Sequence, residues 1–113
     1  QGMGWLTTEE LWWDQKGQLR THAPSTYKIP VASDVPPVFN VRLAEWSVNK
    51  EPTIGRSKAV GEPPLMLAIS VVEALSMAVA SEADYRVAPQ LDTPVTPERV
   101  LMGVERMRRE RAA

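Results

Sequence analysis

The sequence predicts an α+β fold, on three observations. Residues 38–46, "VFNVRLAEW", alternate apolar and polar side chains at the strand period. "LWWDQKGQLRT" reads as two strands around a turn. Two later segments, 63–81 and 97–111, carry helix signals.

The elements follow in chain order. "GWLTTEELWWDQKGQLRTHAP" opens the chain, and Thr7 and Glu10 have capping-box spacing, which allows a short helix. The same stretch also fits a hairpin from about Glu10 to Ala23, with Asp14 beginning the turn and Gly17 closing it, and this is the expected element. "PSTYKIPVASDVPP" follows as an ordered connecting coil. The chain has ten prolines, concentrated between Pro24 and Pro64, and each removes a backbone donor and extends its predecessor. Phe39, Val41 and Leu43 then share one face and Asn40 and Arg42 the other, as in a half-buried strand. "SVNKEPTIGR" reads as a loop.

Pro63 suits the first position of a helix running to about Ser81, because its missing N–H is not needed there. Ser70, Glu73, Ser76, Ala80 and Ser81 form a narrow polar or small stripe on an otherwise apolar cylinder. A helix of this kind is buried nearly all round. The stretch is short for a membrane span, which needs about 20 apolar residues, and Glu73 interrupts it, so a buried helix of a soluble protein is expected. "DYRVAPQLDTPVT" is coil. The last helix starts at an N-cap, Thr96, followed by Pro97 and an acidic first turn at Glu98. Val100, Leu101, Val104 and Met107 make its apolar stripe. Arg106, Arg108, Arg109 and Arg111 crowd its end, where the helix dipole favours cations. Glu105 and Glu110 interrupt them and no aromatic is near, so they read as a solvated face and not as a nucleic-acid patch.

Composition narrows the chemistry. A net charge of −1 supplies no field for nucleic acid or an anionic membrane. The absence of cysteine removes disulfides, thiolate nucleophiles and iron–sulfur ligands from this stretch and fits a cytoplasmic location. One histidine, His22, cannot build a metal site alone, so any metal must arrive in a cofactor bringing its own ligands. The sequence begins at Gln1, has its first methionine at Met3 and shows no charged-then-apolar leader. It therefore reads as a piece of a longer polypeptide without a signal peptide.

The stretch "SKAVGEPP" holds the candidate site residue. Glu62 precedes a proline and is thereby pushed out of the α region, while Gly61 lets another group approach the backbone closely. An N-cap side chain normally bonds the N–H two or three residues on, and Pro64 has none. Glu62 is thus stiffly placed and not fully occupied by its own helix. The helix dipole favours its ionised form and burial its neutral form. On local grounds two readings stand, a surface glutamate beside a helix start and a site carboxylate.

"SKAVGEPP", with "QGMG" and "PSTYKIP", resembles the C-terminal part of the molybdenum-binding subunit of the xanthine dehydrogenase family, a branch of the molybdenum hydroxylases. "GWLTTEELWW", "FNVRLAEW" and "SVVEALSMAVAS" fall in line with it, so the resemblance covers nearly the whole sequence. It implies that residues 1–113 are the C-terminal part of a larger domain that binds molybdopterin. It also implies that Glu62 is the general base, taking a proton from a hydroxyl on molybdenum during hydroxylation of hypoxanthine and xanthine to urate. The Gln1 amide becomes a cofactor ligand, with Val60 and Gly61 along the cofactor rim through their backbone, and Gly2 and Gly4 allow close passage of the chain. Iron–sulfur (2Fe-2S) clusters and FAD are implied on other domains or subunits. The implied partners are a purine substrate, the rest of the chain and an iron–sulfur/flavin subunit, with neither nucleic acid nor a membrane. By the resemblance, the fragment alone is inactive and its parent an enzyme. The alternatives are a related hydroxylase acting on aldehydes or other N-heterocycles, and a non-catalytic structural domain retaining the fold. Pro63 and Pro64 look like the xanthine-oxidising group. Lys58, His22 and Tyr27 are assigned no role. The four tryptophans, Trp5, Trp12, Trp13 and Trp46, read as packing residues.

Overall fold

A computed structural model describes residues 1–58 and 61–113. Among the described residues four helices carry the architecture: α1 (Gly2–Thr7), α2 (Pro63–Leu67), α3 (Ile69–Ala80) and α4 (Pro97–Ala112). Single 3₁₀ turns lie at Ala32–Asp34, Ile54–Arg56 and Ser81–Ala83.

The start of α4 follows its sequence signals. Thr96 accepts a hydrogen bond from Arg99 N at 3.4 Å, Pro97 opens the helix and Glu98 lies in its first turn. Val100, Val104 and Met107 turn inward as the period requires, whereas Leu101 stands exposed. The expected helix over 63–81 is divided at Ala68. There the Ser70 hydroxyl donates to Leu67 O at 2.6 Å, and Val71 N reaches back only three residues, to Ala68 O at 3.1 Å. After α3 the chain reverses through Asp84 and Tyr85, both in the left-handed region at φ 51° and 59°.

The core lies where α3, the turn after it and α4 meet. Val79, Ala83 and Met107 are its buried centre, with Leu91, Val100 and Val104 packed around them. Helix α1 packs against α2 and α3. It is tied to the segment ahead of α4 by Val95 N donating to Leu6 O at 2.6 Å. The arginines of α4 are more committed than a solvated face predicts. Arg108 pairs with Glu82 at 2.9 Å, Arg111 with Asp84 at 3.3 Å, and Arg106 donates to Gln90 O at 2.8 Å. Together they fasten the 82–92 segment to α4. The hydrogen bond from Arg108 to Glu82, and then the charge of Glu82, push the guanidinium pKa further above its ordinary value.

The α+β expectation is overturned: among the described residues there is no strand, only an isolated antiparallel bridge between Trp13 and Leu19. The reversal expected at Glu10–Ala23 does occur. Asp14 Oδ1 accepts from Lys16 N and Gln18 N, and Gly17 sits at φ 74°. A strand pair does not grow from it, because Trp12 N bonds the Thr21 hydroxyl and not a ladder carbonyl. Leu11, Trp12 and Trp13 are also left more than half exposed. The expected strand near 38–46 is likewise absent. Phe39, Val41 and Leu43 are exposed, Leu43 at 89%, and no second strand offers ladder partners.

Within these 113 residues α3 is covered on one side only: Val71, Leu75 and Val79 face inward, and Ile69, Glu73 and Met77 face out. The whole segment Leu65–Ala83 is long and apolar enough by composition to cross a membrane, although its last turns are built into the core with α4. The accessible surface is 9460 Å² and the radius of gyration 18.6 Å. A compact chain of this length has a radius of about 13 Å.

Candidate functional site

The Glu62 corner is built from the start of α2. The Glu62 carbonyl accepts hydrogen bonds from Leu65 N at 2.9 Å and Met66 N at 3.3 Å, so the main chain of this residue is fixed by the helix it precedes. Its side chain is exposed, and among the described residues its carboxylate has neither a hydrogen-bond nor an ion-pair partner. A Cβ placed on Gly61 would meet no atom within 4 Å, which leaves that side of the backbone open. Val60, the other expected rim residue, lies outside the described residues.

Gln1 is the N-cap of α1. Its carbonyl accepts from Trp5 N at 3.1 Å, and its side chain makes no capping bond and is exposed. Because α1 packs against α2, touching helices carry the Gln1 and Glu62 segments, which are 61 positions apart in the sequence. The two side chains themselves are not in hydrogen-bond contact. The small cleft beside them, about 250 Å³ between α1 and α3, is lined by Met3, Thr7, Pro30, Asp34, Val71 and Leu75 among others and includes neither Gln1 nor Glu62.

The expectation for "QGMG" needs one correction. These residues enter a helix, and Gly4 is used by the chain itself: a Cβ there would collide with the Glu9 carboxylate and come within 2.8 Å of Pro30 Cδ. Its missing side chain accommodates Glu9 and Pro30. Lys58, which received no role, donates to Ser47 Oγ at 3.4 Å and so braces the loop ahead of the corner. The centre of that loop is Asn49, which sequence reasoning passed over. Its Oδ1 accepts from Glu51 N at 3.1 Å, and its Nδ2 donates to Thr53 Oγ1 at 3.0 Å and Ser57 O at 3.3 Å. The signal available was "NKEP", an asparagine placed to bond the backbone two residues on.

No cluster of histidine, cysteine and acidic residues able to hold a metal exists among the described residues. The described residues offer an exposed carboxylate at Glu62, an exposed amide at Gln1 and an open backbone side at Gly61. Such a set fits a cofactor that brings its own metal ligands and needs edge hydrogen bonds and a proton acceptor from the protein.

Residues 1–36 match the family model described as a molybdopterin cofactor-binding domain. The chain is 42% identical over 106 residues to the mouse protein named xanthine dehydrogenase/oxidase, and 45% identical over 105 residues to that of the rat, covering 88% of this chain in each case. It is 42% identical over 113 residues to the xanthine dehydrogenase of Oryza sativa subsp. japonica, covering 90% of this chain. The chain belongs to the xanthine dehydrogenase family. It represents a piece of the molybdenum-binding region, spanning 8% of the length of each of these relatives. Large apolar side chains stand exposed along the connecting coil, among them Phe39, Val41, Leu43 and Trp46.

Proposed function

We propose that this chain carries the general base of a xanthine-oxidising molybdenum hydroxylase, and that the base is Glu62. The observation that supports this most directly is a carboxylate whose own main chain is fixed by α2 while its oxygens have no partner among the described residues. The substrate class is hypoxanthine and xanthine, with urate as the final product, in keeping with the names of the relatives. Residues 1–113 are the C-terminal part of the cofactor-binding domain, and the protein works in the cytoplasm with an iron–sulfur/flavin partner domain or subunit.

When bound, the molybdenum cofactor supplies the attacking oxygen and accepts the two electrons of the oxidation. The Gln1 amide can donate and accept at once, which suits the edge of a pterin. The backbone of Gly61 would approach its rim, and the open side of Gly61 leaves room for that approach. Glu62 accepts the proton that must leave the attacking oxygen. Its carboxylate is acceptor-only when ionised and is free of competing cations among the described residues, so it is available as a base. The prolines after Glu62 hold the acid outside its own helix, and its carbonyl anchors the first helical turn.

The test is Glu62→Ala in the complete enzyme. Molybdenum content stays at the parent level and urate formation falls by at least about 10²- to 10⁴-fold, the usual worth of a positioned base. Near-normal hydroxylation by that variant removes Glu62 from the mechanism.

A further inference from the structure

A second unpaired carboxylate lies beside α1, between two aromatic rings. Trp5, Glu9, Leu11 and Tyr27 line a cavity of about 430 Å³. Among the described residues Glu9 has no ion-pair partner, and neither its carboxylate, the Trp5 indole N–H nor the Tyr27 hydroxyl makes a hydrogen bond. The adjacent Glu10 differs, because it pairs with Arg99 at 3.7 Å.

Contacts within residues 1–30 set this arrangement. Trp5 belongs to α1, and its main-chain N–H donates to Gln1 O at 3.1 Å. Glu9 N donates to Gly4 O at 3.0 Å, which folds the residue back along the helix. Its carboxylate then rests against Gly4, where any Cβ would collide with it. Tyr27 comes from the turn at 23–27, in which Thr26 N and Tyr27 N both donate to Ala23 O, at 2.8 and 3.2 Å. The Thr8 hydroxyl ties that turn to the end of α1 through Lys28 O at 2.9 Å. Glu9 and Tyr27 are half-buried, and Trp5 is 50% exposed.

Charge and shape select the occupant. A half-buried carboxylate without a counter-charge calls for a cation, and aromatic faces attract one as well. A guanidinium meets both demands at once, because it is planar, stacks on a ring and gives a carboxylate two parallel N–H donors. No arginine or lysine of this chain lines the cavity. The chain spans only 8% of the length of the relatives it matches, so a large body of polypeptide remains to supply one.

We propose that the Trp5–Glu9–Tyr27 cavity receives the guanidinium of an arginine from the part of the protein outside these 113 residues, and thereby docks the α1 segment onto that part. Glu9 supplies the charge, Trp5 and Tyr27 supply the stacking faces, and Leu11 closes an apolar wall. The proposal is independent of the role of Glu62.

The experiment uses the complete enzyme as parent, Glu9→Gln, Trp5→Leu, Tyr27→Phe and Glu10→Gln. Native protein is treated with phenylglyoxal, which modifies arginine, or with acetic anhydride, which modifies lysine, and the rate at each residue is read by mass spectrometry. Hydrogen exchange of the α4 amides reports on the rest of the fold. The expected result is one arginine outside residues 1–113 that is protected in the parent and reacts about tenfold faster or more in Glu9→Gln and Trp5→Leu, with α4 exchange unchanged. Tyr27→Phe keeps its ring face and Glu10→Gln alters an acid outside the cavity, so both leave that arginine protected. The proposal falls if the responding residue is a lysine, if it is an arginine within residues 1–113 of this chain or of a second copy, or if none responds. Faster reaction of many arginines together with faster α4 exchange overturns it in favour of a general packing role.

Discussion

Production of residues 1–113 alone gives a chain that does not fold cooperatively. A compact monomer of 12.6 kDa exposes about 6,200 Å². This chain exposes 9460 Å², roughly 3,300 Å² more than that compact reference. Against an extended chain of roughly 18,000 Å² it buries slightly under half, whereas even a 60-residue domain buries about 60%. If 55–60% of the excess is apolar, the burial it lacks is worth about 45 kcal/mol, several times the net stability of a whole domain. Trp46 at 90%, Leu43 at 89% and Ile54 at 97% exposure mark where the missing contacts lie. The assay is urea unfolding of the isolated chain by far-UV circular dichroism, with dye binding and sedimentation alongside. The expected outcome is a broad, featureless transition, strong binding of an apolar dye and concentration-dependent association. A monomer with one sharp transition that binds no dye would refute the reasoning, because it would mean that the exposed surface needs no partner.

Two further outcomes concern the α3–α4 core and are read in the intact enzyme by hydrogen exchange of the α4 amides. Met107→Ala removes a side chain only 1% exposed at the centre of the core and weakens protection of α4 by about 2–5 kcal/mol. Gly103→Ala sets two effects against each other. Helix propensity gains about 1 kcal/mol, but the new methyl falls 2.9 Å from Leu91 Cδ2 and 3.3 Å from Val79 Cγ1. Leu91 can move, but Val79 is buried and its branched side chain is stiff in a helix, so overpacking of about 1–3 kcal/mol prevails. Faster exchange along α4 is expected, and slower exchange would show that the contact yields without cost.

The helices were legible in the sequence because their signals are local. Thr96, Pro97 and Glu98 set the start of α4 by capping, ring geometry and charge, and each acts within one turn. Pro63 likewise marks the start of α2. The strands were misjudged because a strand depends on a partner beyond its own sequence. Phe39, Val41 and Leu43 keep the alternation of a half-buried strand, yet within these 113 residues nothing supplies the ladder or the surface that such a pattern requires. The turn at Asp14 and Gly17 was read correctly, because a side chain bonding the backbone two and four residues on needs no distant partner. The same distinction applies to the site. The stiffness of the Gly61–Glu62–Pro63 corner is encoded in four adjacent residues with Pro64, and was visible at once. The hydrogen bonds of Asn49 were not, because they join residues four and eight apart through side-chain and main-chain oxygens, and no periodic pattern announces that geometry. What local chemistry fixes in this chain is the orientation of each piece. The mutual placement of the pieces depends on contacts that are not local, and the exposure of Leu43, Trp46 and Ile54 shows how few of those this chain makes.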